Sequence, residues 1–291
     1  MSVLTEARST TKVPTFPLTD AETVALVRAA LEEDRAFDDV TTSSVVPRDL
    51  RASAVLVARS GGVLSGLPLV EAAFKLLDPT IACRELEPDG AHVRSNCAVL
   101  EIDGAARAML SGERVTLNFA QRLSGIASLT ARFVEAVRGT KAKILDTRKT
   151  TPGFRALERY AVRCGGGTNH RYDLAAAVLI KDNHLAAVGG DVALAVQRAR
   201  LGAPAGIQVE VECDRRDQVA IAVKSGADVI LLDNMSLDEM RACVALVGGA
   251  AIVEASGGIA LENVRAVAET GVDWISVGAL THSAPALDLA L

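Results

Sequence analysis

The chain of 291 residues lacks the cysteine and histidine patterns of disulfide-stabilised or zinc proteins. Its five cysteines are an odd number and include no C-x-x-C pair. This pattern favours scattered reduced thiols over a disulfide framework. The four histidines have no H-x-x-x-H spacing, so a zinc site is not expected either.

An excess of positive charge is also missing. The formal net charge is −5, which argues against a nucleic-acid surface, where a basic excess is expected. No apolar run is long enough to span a membrane, and the polar residues 2–19 contain no signal peptide. We therefore expect a soluble, cytoplasmic protein.

Several common catalytic motifs are absent as well. There is no G-x-S-x-G, no Walker A loop and no G-x-G-x-x-G after a strand. Apolar residues nevertheless make up 49% of the chain, with only one Trp, a composition that suits an α/β enzyme core. The chain is long enough for one large domain or two.

Two segments of this acidic chain concentrate positive charge beside residues that shape loops. Residues 146–153 read Asp-Thr-Arg-Lys-Thr-Thr-Pro-Gly, and the second segment runs from the glycine triplet at 165–167 to His184. Gly, Pro, Thr and Asn shape backbone for close approach of a ligand. Guanidinium groups add paired donors that fit carboxylate or phosphate. We therefore predict an anion site, whose candidate cations are Arg148, Lys149, His170, Arg171 and Lys181.

From about residue 141 onward, short apolar runs alternate with helical stretches. The runs predict buried strands at 143–145, 177–180, 207–211, 229–232, 251–253 and 274–277. Polar residues close each strand, and those of the later strands recur at intervals of about 21 to 24 residues, enough for one β-α unit. An α/β barrel collects its active site at the carboxyl ends of its strands. We therefore favour a TIM-like α/β barrel, with its strand number left open, over a doubly wound sheet.

The first part of the chain is less regular. Thr19-Asp20-Ala21-Glu22 predicts a helix that begins with a capping box. Short strand patterns and one helical pattern follow without β-α alternation, which predicts an α+β domain. The predicted divisions are a flexible lead-in at 1–18, the α+β domain at 19–115, the barrel domain at 116–280 and a C-terminal tail at 281–291.

Two carboxylates and two glycine loops complete the predicted site. Glu212 and Asp233 occupy matched positions at consecutive strand ends. Because a buried carboxylate is costly unless it is paired or metal-bound, we expect them to bind hydroxyl groups, Mg²⁺ or the opposing cations. The loops at 254–259 and 276–279 offer N–H groups suited to phosphate. Such a site would hold a polyanionic acid on one side and a phosphorylated sugar on the other.

These residues and their spacing resemble the quinolinate phosphoribosyltransferase family. The resemblance covers nearly the whole chain, and its most specific motifs are Thr147-Arg148-Lys149-Thr150 and Lys181-Asp182-Asn183-His184. The matching segments are 146–153, 157–162, 165–171, 179–184, 209–212, 231–234, 254–259 and 275–280, with weaker similarity at 31–34 and 39–42.

The resemblance implies an enzyme of NAD biosynthesis. With Mg²⁺, it would transfer phosphoribosyl from phosphoribosyl pyrophosphate (PRPP) to quinolinate, giving nicotinate mononucleotide, pyrophosphate and carbon dioxide. The resemblance also implies a barrel packed with an N-terminal sandwich domain. It further implies a homodimer with shared active sites, with higher oligomers left open.

Residue roles follow by match to the motifs of the family. The quinolinate-binding residues would be Arg114, contributed by the neighbouring subunit, and Arg148, His170, Arg171 and Lys181. The PRPP-binding residues would be Thr147, Lys149, Glu212, Asp233, Ser256, Gly257, Gly258, Val277, Gly278 and Ala279. The catalytic residues would be Lys149, Lys181, Glu212 and Asp233, the last two also as candidate Mg²⁺ ligands.

The chain departs from the family pattern at Asp38, Asp173 and Ala176, which puts loop shape in question more than ligand contact. Three alternative functions stay open. The first is a phosphoribosyltransferase paralogue acting on another anionic heterocycle, although the full cation set favours a dicarboxylate. The second is a Schiff-base aldolase centred on Lys181. The third is a phosphosugar-binding sensor without catalysis.

Overall fold

The structure, a computed structural model, describes residues 13–291. Most of the lead-in predicted at 1–18 lies outside the described residues. The chain forms two compact units: the first extends to Ala127 and includes 286–291, and the second spans Ser128–Pro285. The domain limits that the sequence predicts at 115 and 280 stay predictions. Elements are numbered below in chain order.

The first unit combines an antiparallel sheet with helices. Its four-stranded sheet has the order β12-β1-β5-β3, and β2 pairs with β4. Its helices are α1 (Asp20–Glu33), α2 (Val40–Val45), α3 (Leu67–Leu77) and α4 (Ala106–Ala136), which continues into the second unit, with a 3₁₀ turn at Ala36–Asp38. Its strands are β1 (Arg51–Ala58), β2 (Gly62–Val63), β3 (Ala82–Glu85), β4 (His92–Val93), β5 (Cys97–Ala105) and β12 (Leu289–Ala290).

The first helix and the core of this unit follow from the sequence pattern. The predicted capping box at Thr19 is confirmed, since its side chain accepts the Glu22 N–H and the Glu22 carboxylate accepts the Thr19 N–H. Such a box satisfies two backbone donors that the helix leaves free. Phe74 of α3 and Leu56 of β1 belong to one buried apolar cluster, so the unit is an α+β body, as predicted.

The second unit is built on a six-stranded parallel sheet with helices between the strands. The strands are β6 (Lys143–Leu145), β7 (Val178–Ile180), β8 (Val209–Cys213), β9 (Val229–Asp233), β10 (Ile252–Ser256) and β11 (Trp274–Ser276). The helices are α5 (Arg155–Cys164), α6 (Asp182–Ala187), α7 (Val192–Gly202), α8 (Arg216–Lys224), α9 (Leu237–Val247), α10 (Val264–Ala268) and α11 (Ala279–His282). The sheet order is β6-β11-β10-β9-β8-β7, so β11 pairs with β6 and the other strands follow in chain order.

The ends of two strands differ from the prediction. The strands predicted at 207–211 and 251–253 end too early, because β8 continues to Cys213 and β10 to Ser256. A strand continues while its backbone pairs with its neighbours, and Glu212 and Ser256 still pair with β9. The drop in hydrophobicity therefore marks a change of side-chain environment and not the end of the strand.

Side-chain alternation gives these strands a layered polar face. Residues two apart along a strand point to the same side of a sheet. Glu210 and Glu212 of β8 therefore share a face, and so do Glu254 and Ser256 of β10. On that face the first of each pair lies one layer deeper than the second.

Two aspartates tie the amino ends of the strands together. Asp228 accepts the Val209 N–H at 2.7 Å, and Asp273 accepts the Val253 N–H at 2.9 Å. Asp228 directly precedes β9 and accepts a backbone N–H of β8, and Asp273 directly precedes β11 and accepts a backbone N–H of β10.

No helix within residues 13–291 is both long and apolar enough to cross a membrane.

Candidate active site

A cavity of about 310 Å³ opens at the carboxyl edge of the parallel sheet. This volume lies at the small end of the range for ligand pockets. We call it the carboxyl-edge cavity. Its lining residues are Thr147, Arg148, Lys149, His170, Arg171, Leu179, Lys181, Glu212, Leu231, Glu254, Ser256 and Ser276. All five predicted cations of the second unit therefore meet in one place.

A buried aspartate joins the two cationic segments. Asp146, at the end of β6, is fully buried. Its carboxylate accepts the His170 N–H at 2.7 Å and the Asn169 side-chain amide at 2.6 Å. Burial raises the pKa of Asp146, while Arg159, the His170 N–H and Asn169 act in the opposite direction. Asp146 thus holds the segment that carries His170 and Arg171 against β6.

Arg159 of α5 fixes the same segment from the other side. Its guanidinium donates to the carbonyl oxygens of His170 at 2.6 Å and Arg171 at 3.2 Å, and to Asp146 at 3.3 Å. It also lies 5.3 Å from the centre of the Tyr172 ring. The planar group satisfies several acceptors at once, a geometry that lysine does not provide.

Arg148 and Arg171 bring like charges to the cavity. Burial, followed by the charge of Arg148, lowers the pKa of Arg171, although an arginine stays protonated in a protein. Arg171 donates to the Ala177 carbonyl at 2.9 Å. The Nε of Arg148 is buried and has no hydrogen-bond partner among the described residues. An anion in this cavity would relieve the repulsion and supply the missing acceptor.

Lys181 and Glu212 face each other across neighbouring strands. Lys181 follows β7, and its Nζ forms a salt bridge with the Glu212 carboxylate of β8. Its backbone N–H donates to His184 Nδ1 at 2.9 Å. The predicted cation and the predicted carboxylate are thus brought together, with the side chain of Glu212 only 16% exposed.

His170 contacts two buried glutamates, Glu210 and Glu254, which were not among the predicted site residues. Its Nε2 lies 3.2 Å from a carboxylate oxygen of Glu210 and 3.2 Å from one of Glu254. Its Nδ1 accepts the Arg171 N–H at 2.7 Å. Burial lowers the pKa of His170, but the contacts and negative charges of Glu210 and Glu254 outweigh burial and raise that pKa to about 10. The contact at Nδ1 acts against this rise in pKa, because a ring protonated on both nitrogens cannot accept the Arg171 N–H.

The remaining predicted donor-binding residues lie at the ends of β9, β10 and β11. Asp233 pairs in register with Ser256, so the two side chains leave neighbouring strands at the same height. Within residues 13–291, the lining of the carboxyl-edge cavity includes Ser256 but not Asp233, nor the loop residues Gly257, Gly258, Val277, Gly278 and Ala279.

Two glycines allow the loops to adopt their shape. Gly257 has φ +88°, and a Cβ there would collide with the Asn234 side chain. At Gly278 a Cβ would stand 3.0 Å from Lys149 Cδ and 3.2 Å from His282 Nε2. The Thr281 hydroxyl donates to the Lys149 carbonyl at 2.7 Å. Gly278 therefore lets the loop after β11 approach Lys149 closely.

The other predicted residues lie elsewhere. Arg114 is an exposed residue of α4 within the first unit. Of the departures from the family pattern, Asp173 accepts the N–H groups of Ala175 at 2.9 Å and Ala176 at 3.0 Å, which closes a turn. Asp38 pairs with Arg35 at the surface.

Glu210 and Glu254 were missed for an identifiable reason. Glu210 lies inside the strand predicted at 207–211 and Glu254 directly follows the one predicted at 251–253, and neither side chain was assigned a role. The available signal was the Val-Glu-Val-Glu alternation at 209–212, which places two carboxylates on one face. A glutamate at an inward strand position costs stability unless it has a role.

A parallel sheet with a cationic cavity at its carboxyl edge defines the chain as an α/β enzyme for small anionic substrates. Family models for the C-terminal and N-terminal domains of quinolinate phosphoribosyl transferase match residues 126–291 and 39–124. The chain belongs to the quinolinate phosphoribosyl transferase family, as its motifs predicted.

Relatives and a solved structure agree. A nicotinate-nucleotide pyrophosphorylase [carboxylating] of Mycobacterium leprae is 42% identical over 91% of this chain and 95% of its own length. A probable enzyme of the same name from Bacillus subtilis is 42% identical over 89% of each chain. The crystal structure of NadC from Streptococcus pyogenes has a TM-score of 0.91 and 41% identity, over 95% of this chain and 97% of that one.

Proposed function

We propose that the chain transfers phosphoribosyl from PRPP to quinolinate with decarboxylation, giving nicotinate mononucleotide, pyrophosphate and carbon dioxide in NAD biosynthesis. The observation that carries this proposal is the meeting of Arg148, His170, Arg171 and Lys181 beside Glu212 and Ser256 in one cavity. The names of the M. leprae and B. subtilis relatives support the same reaction.

The cationic end of the cavity suits the acceptor. Quinolinate is a pyridine with two adjacent carboxylates, and two guanidinium groups with one ammonium can bind both of them. The unpartnered Nε of Arg148 supports an acceptor at this end. Positioning is the main task of these residues, because holding two reactants in line removes much of the entropic barrier.

The carboxylate end of the cavity suits the donor. Loss of pyrophosphate from PRPP builds positive charge on the ribose, and fixed carboxylates stabilise such charge in a site shielded from water. Glu212 and Asp233 leave neighbouring strands for this role. Lys149 and the loops at 256–258 and 277–279 would bind the phosphates, and Thr147 would lie beside them.

Mg²⁺ fits this proposal as a companion of PRPP. Carboxylate oxygens are the ligands that Mg²⁺ prefers, usually together with substrate phosphates and waters. Glu212 and Asp233 provide such oxygens on neighbouring strands, and would hold the ion with the pyrophosphate group. When bound, the ion supplies charge neutralisation to the leaving pyrophosphate.

Decarboxylation follows from the chemistry of the acceptor. Once the ring nitrogen carries ribose it is a pyridinium, whose positive charge stabilises the electron pair left on the neighbouring ring carbon when the carboxylate leaves as carbon dioxide. A proton from water then binds that carbon and completes nicotinate mononucleotide. The cations around the acceptor need only hold the ring in place. This explains why a dedicated nucleophile is not required.

The assembly belongs to the same proposal. We infer an incomplete barrel, because β11 pairs with β6 and the other strands follow in chain order. A sandwich form of the first unit, a homodimer in which Arg114 serves the neighbouring site, and a cytoplasmic location are inferred from the family resemblance and the composition.

The alternatives have less support. A Schiff-base lysine attacks as a free amine, whereas Lys181 is paired with Glu212. A paralogue acting on a single carboxylate would not need three strong cations. A sensor without catalysis would not need the complete acceptor set.

Paired variants test the division of roles. Lys181→Ala should reduce release of ¹⁴CO₂ from carboxyl-labelled quinolinate by about 100-fold or more, because the acceptor-binding end of the cavity loses the ammonium group of Lys181. Asp233→Asn should raise the KM for PRPP more than the KM for quinolinate. Lys141→Ala, which removes an exposed lysine paired with Asp273, is the matched control. Near-normal release by Lys181→Ala would contradict the proposal.

A further inference from the structure

Two buried carboxylates lie beneath the acceptor end of the carboxyl-edge cavity. The side chains of Glu210 and Glu254 are 4% and 1% exposed, and both approach the same nitrogen of His170. They belong to β8 and β10, which flank β9 in the sheet. His170 therefore bridges two strands that are not direct neighbours.

The glutamates are poorly satisfied as acceptors. Among the described residues, Glu210 Oε1 and Glu254 Oε1 are buried without a hydrogen-bond partner, and Glu254 Oε2 has only its 3.2 Å contact with His170 Nε2. Nε2 carries a single proton, so it cannot donate fully to two carboxylates. Burying such groups normally costs several kcal/mol per ion. A fold that keeps two of them under a cavity gives up stability for another purpose.

A line of contacts leads from this pair to the acceptor cations. The glutamates hold one edge of the His170 ring at Nε2, and the other edge accepts the Arg171 N–H. With both nitrogens engaged, the ring cannot turn without breaking a contact. The backbone at Arg171 is fixed in turn, and its guanidinium lines the cavity together with Arg148.

A metal-binding role explains the burial of Glu210 and Glu254 less well than their contact with His170 does. The three side chains are close enough to share an ion. A divalent cation there would, however, displace the Nε2 contacts that hold the ring. It would also add positive charge beside Arg171, whose own charge already acts on Glu210.

We propose that Glu210 and Glu254 are positioning residues for quinolinate, which act by clamping the His170 ring and, through it, the backbone and guanidinium of Arg171. This inference rests on the proposed assignment of Arg148 and Arg171 to the acceptor. The proposal predicts that binding of the dicarboxylate quinolinate needs Glu210 and Glu254. Charge repulsion alone would predict that these two carboxylates weaken its binding.

The test is a calorimetric titration of quinolinate into Glu210→Gln and Glu254→Gln variants without PRPP, so that no turnover occurs. Each variant should weaken quinolinate binding by about tenfold, the size of one hydrogen bond to a charged group. The KM for PRPP should change by less than about twofold in the same variants. The melting temperature should change little, because the remaining glutamate still contacts His170 Nε2 in each variant.

Asp273→Asn is the matched control. It removes a carboxylate from the same sheet at its opposite edge, where Asp273 accepts the Val253 N–H, and it should leave quinolinate affinity unchanged. Unchanged or tighter quinolinate binding in both glutamine variants would overturn the proposal. So would a fall in melting temperature with equal loss of both substrates, which would indicate a purely structural role.

Arg171→Ala separates this inference from the function on which it rests. If Arg171→Ala weakens quinolinate binding and the glutamine variants do not, only the clamp is wrong. If Arg171→Ala also binds quinolinate normally, the proposed acceptor end itself is wrong.

Discussion

Among individual residues, pairs of opposite charge are held at fixed places in the carboxyl-edge cavity. Lys181 with Glu212, and His170 with Glu210 and Glu254, put carboxylates beside cations in a cavity meant for an anion. The pairs keep the cations in place before substrate arrives. Substrate then competes for groups that are already oriented, which is the usual form of preorganisation.

The sequence predicted the cations that line the cavity, but not the buried carboxylates beneath them. Arg148, His170, Arg171 and Lys181 could be named because cations beside glycine, threonine and asparagine are unusual in an acidic chain. Glu210 and Glu254 could not, because their partner His170 is distant in sequence and reaches them only through the fold. Their charges could be read from the sequence, but the contact could not.

At the element scale, the strands of the second unit were predicted in type and order, with errors at their carboxyl ends. Hydrophobicity falls at Glu212 and Glu254, yet backbone pairing continues to Cys213 and Ser256. Pairing depends on the neighbouring strand, which a local pattern does not contain. Because of this error, the prediction placed Glu254 after the strand and missed that its side chain is buried within the sheet.

The link between α5 and the 169–172 segment gives a second prediction. Arg159→Met would leave Asp146, which is fully buried, without its charged partner and would remove donors from two carbonyl groups. Breaking a buried pair costs about 3 to 5 kcal/mol, so the free energy of unfolding should fall by about that amount. Chemical denaturation followed by circular dichroism would measure it.

Arg241→Met supplies the control for that experiment. Arg241 pairs with Asp238 at the surface of α9, and exposed pairs of this kind contribute little. Equal effects of the two substitutions would show that the Arg159 contacts do not hold the segment in place.

At the scale of the whole molecule, the proposed homodimer with shared sites is testable by mixing. Arg114→Ala and Lys181→Ala should each be inactive alone, since each removes a different contribution to every site. After unfolding and refolding together, random pairing should restore about one quarter of wild-type activity, because half of the dimers then contain one intact site. No recovery would contradict the contribution of Arg114 to a neighbouring site.

The family was predicted from motifs and is confirmed by models that match both parts of the chain. The division into domains, the roles of individual residues and the Mg²⁺ ligands stay predictions. The residue roles and the Mg²⁺ ligands depend on bound ligands and on a second subunit, neither of which follows from a single chain.

The most direct test of the central claim offers two acceptors in parallel. Purified protein with Mg²⁺ and PRPP would receive either quinolinate or nicotinate, and nicotinate mononucleotide and carbon dioxide would be measured. The account predicts nicotinate mononucleotide and an equal amount of carbon dioxide from quinolinate, and no product from nicotinate, because the cavity is built for two carboxylates. Product from nicotinate at a comparable rate, or none from quinolinate, would contradict it.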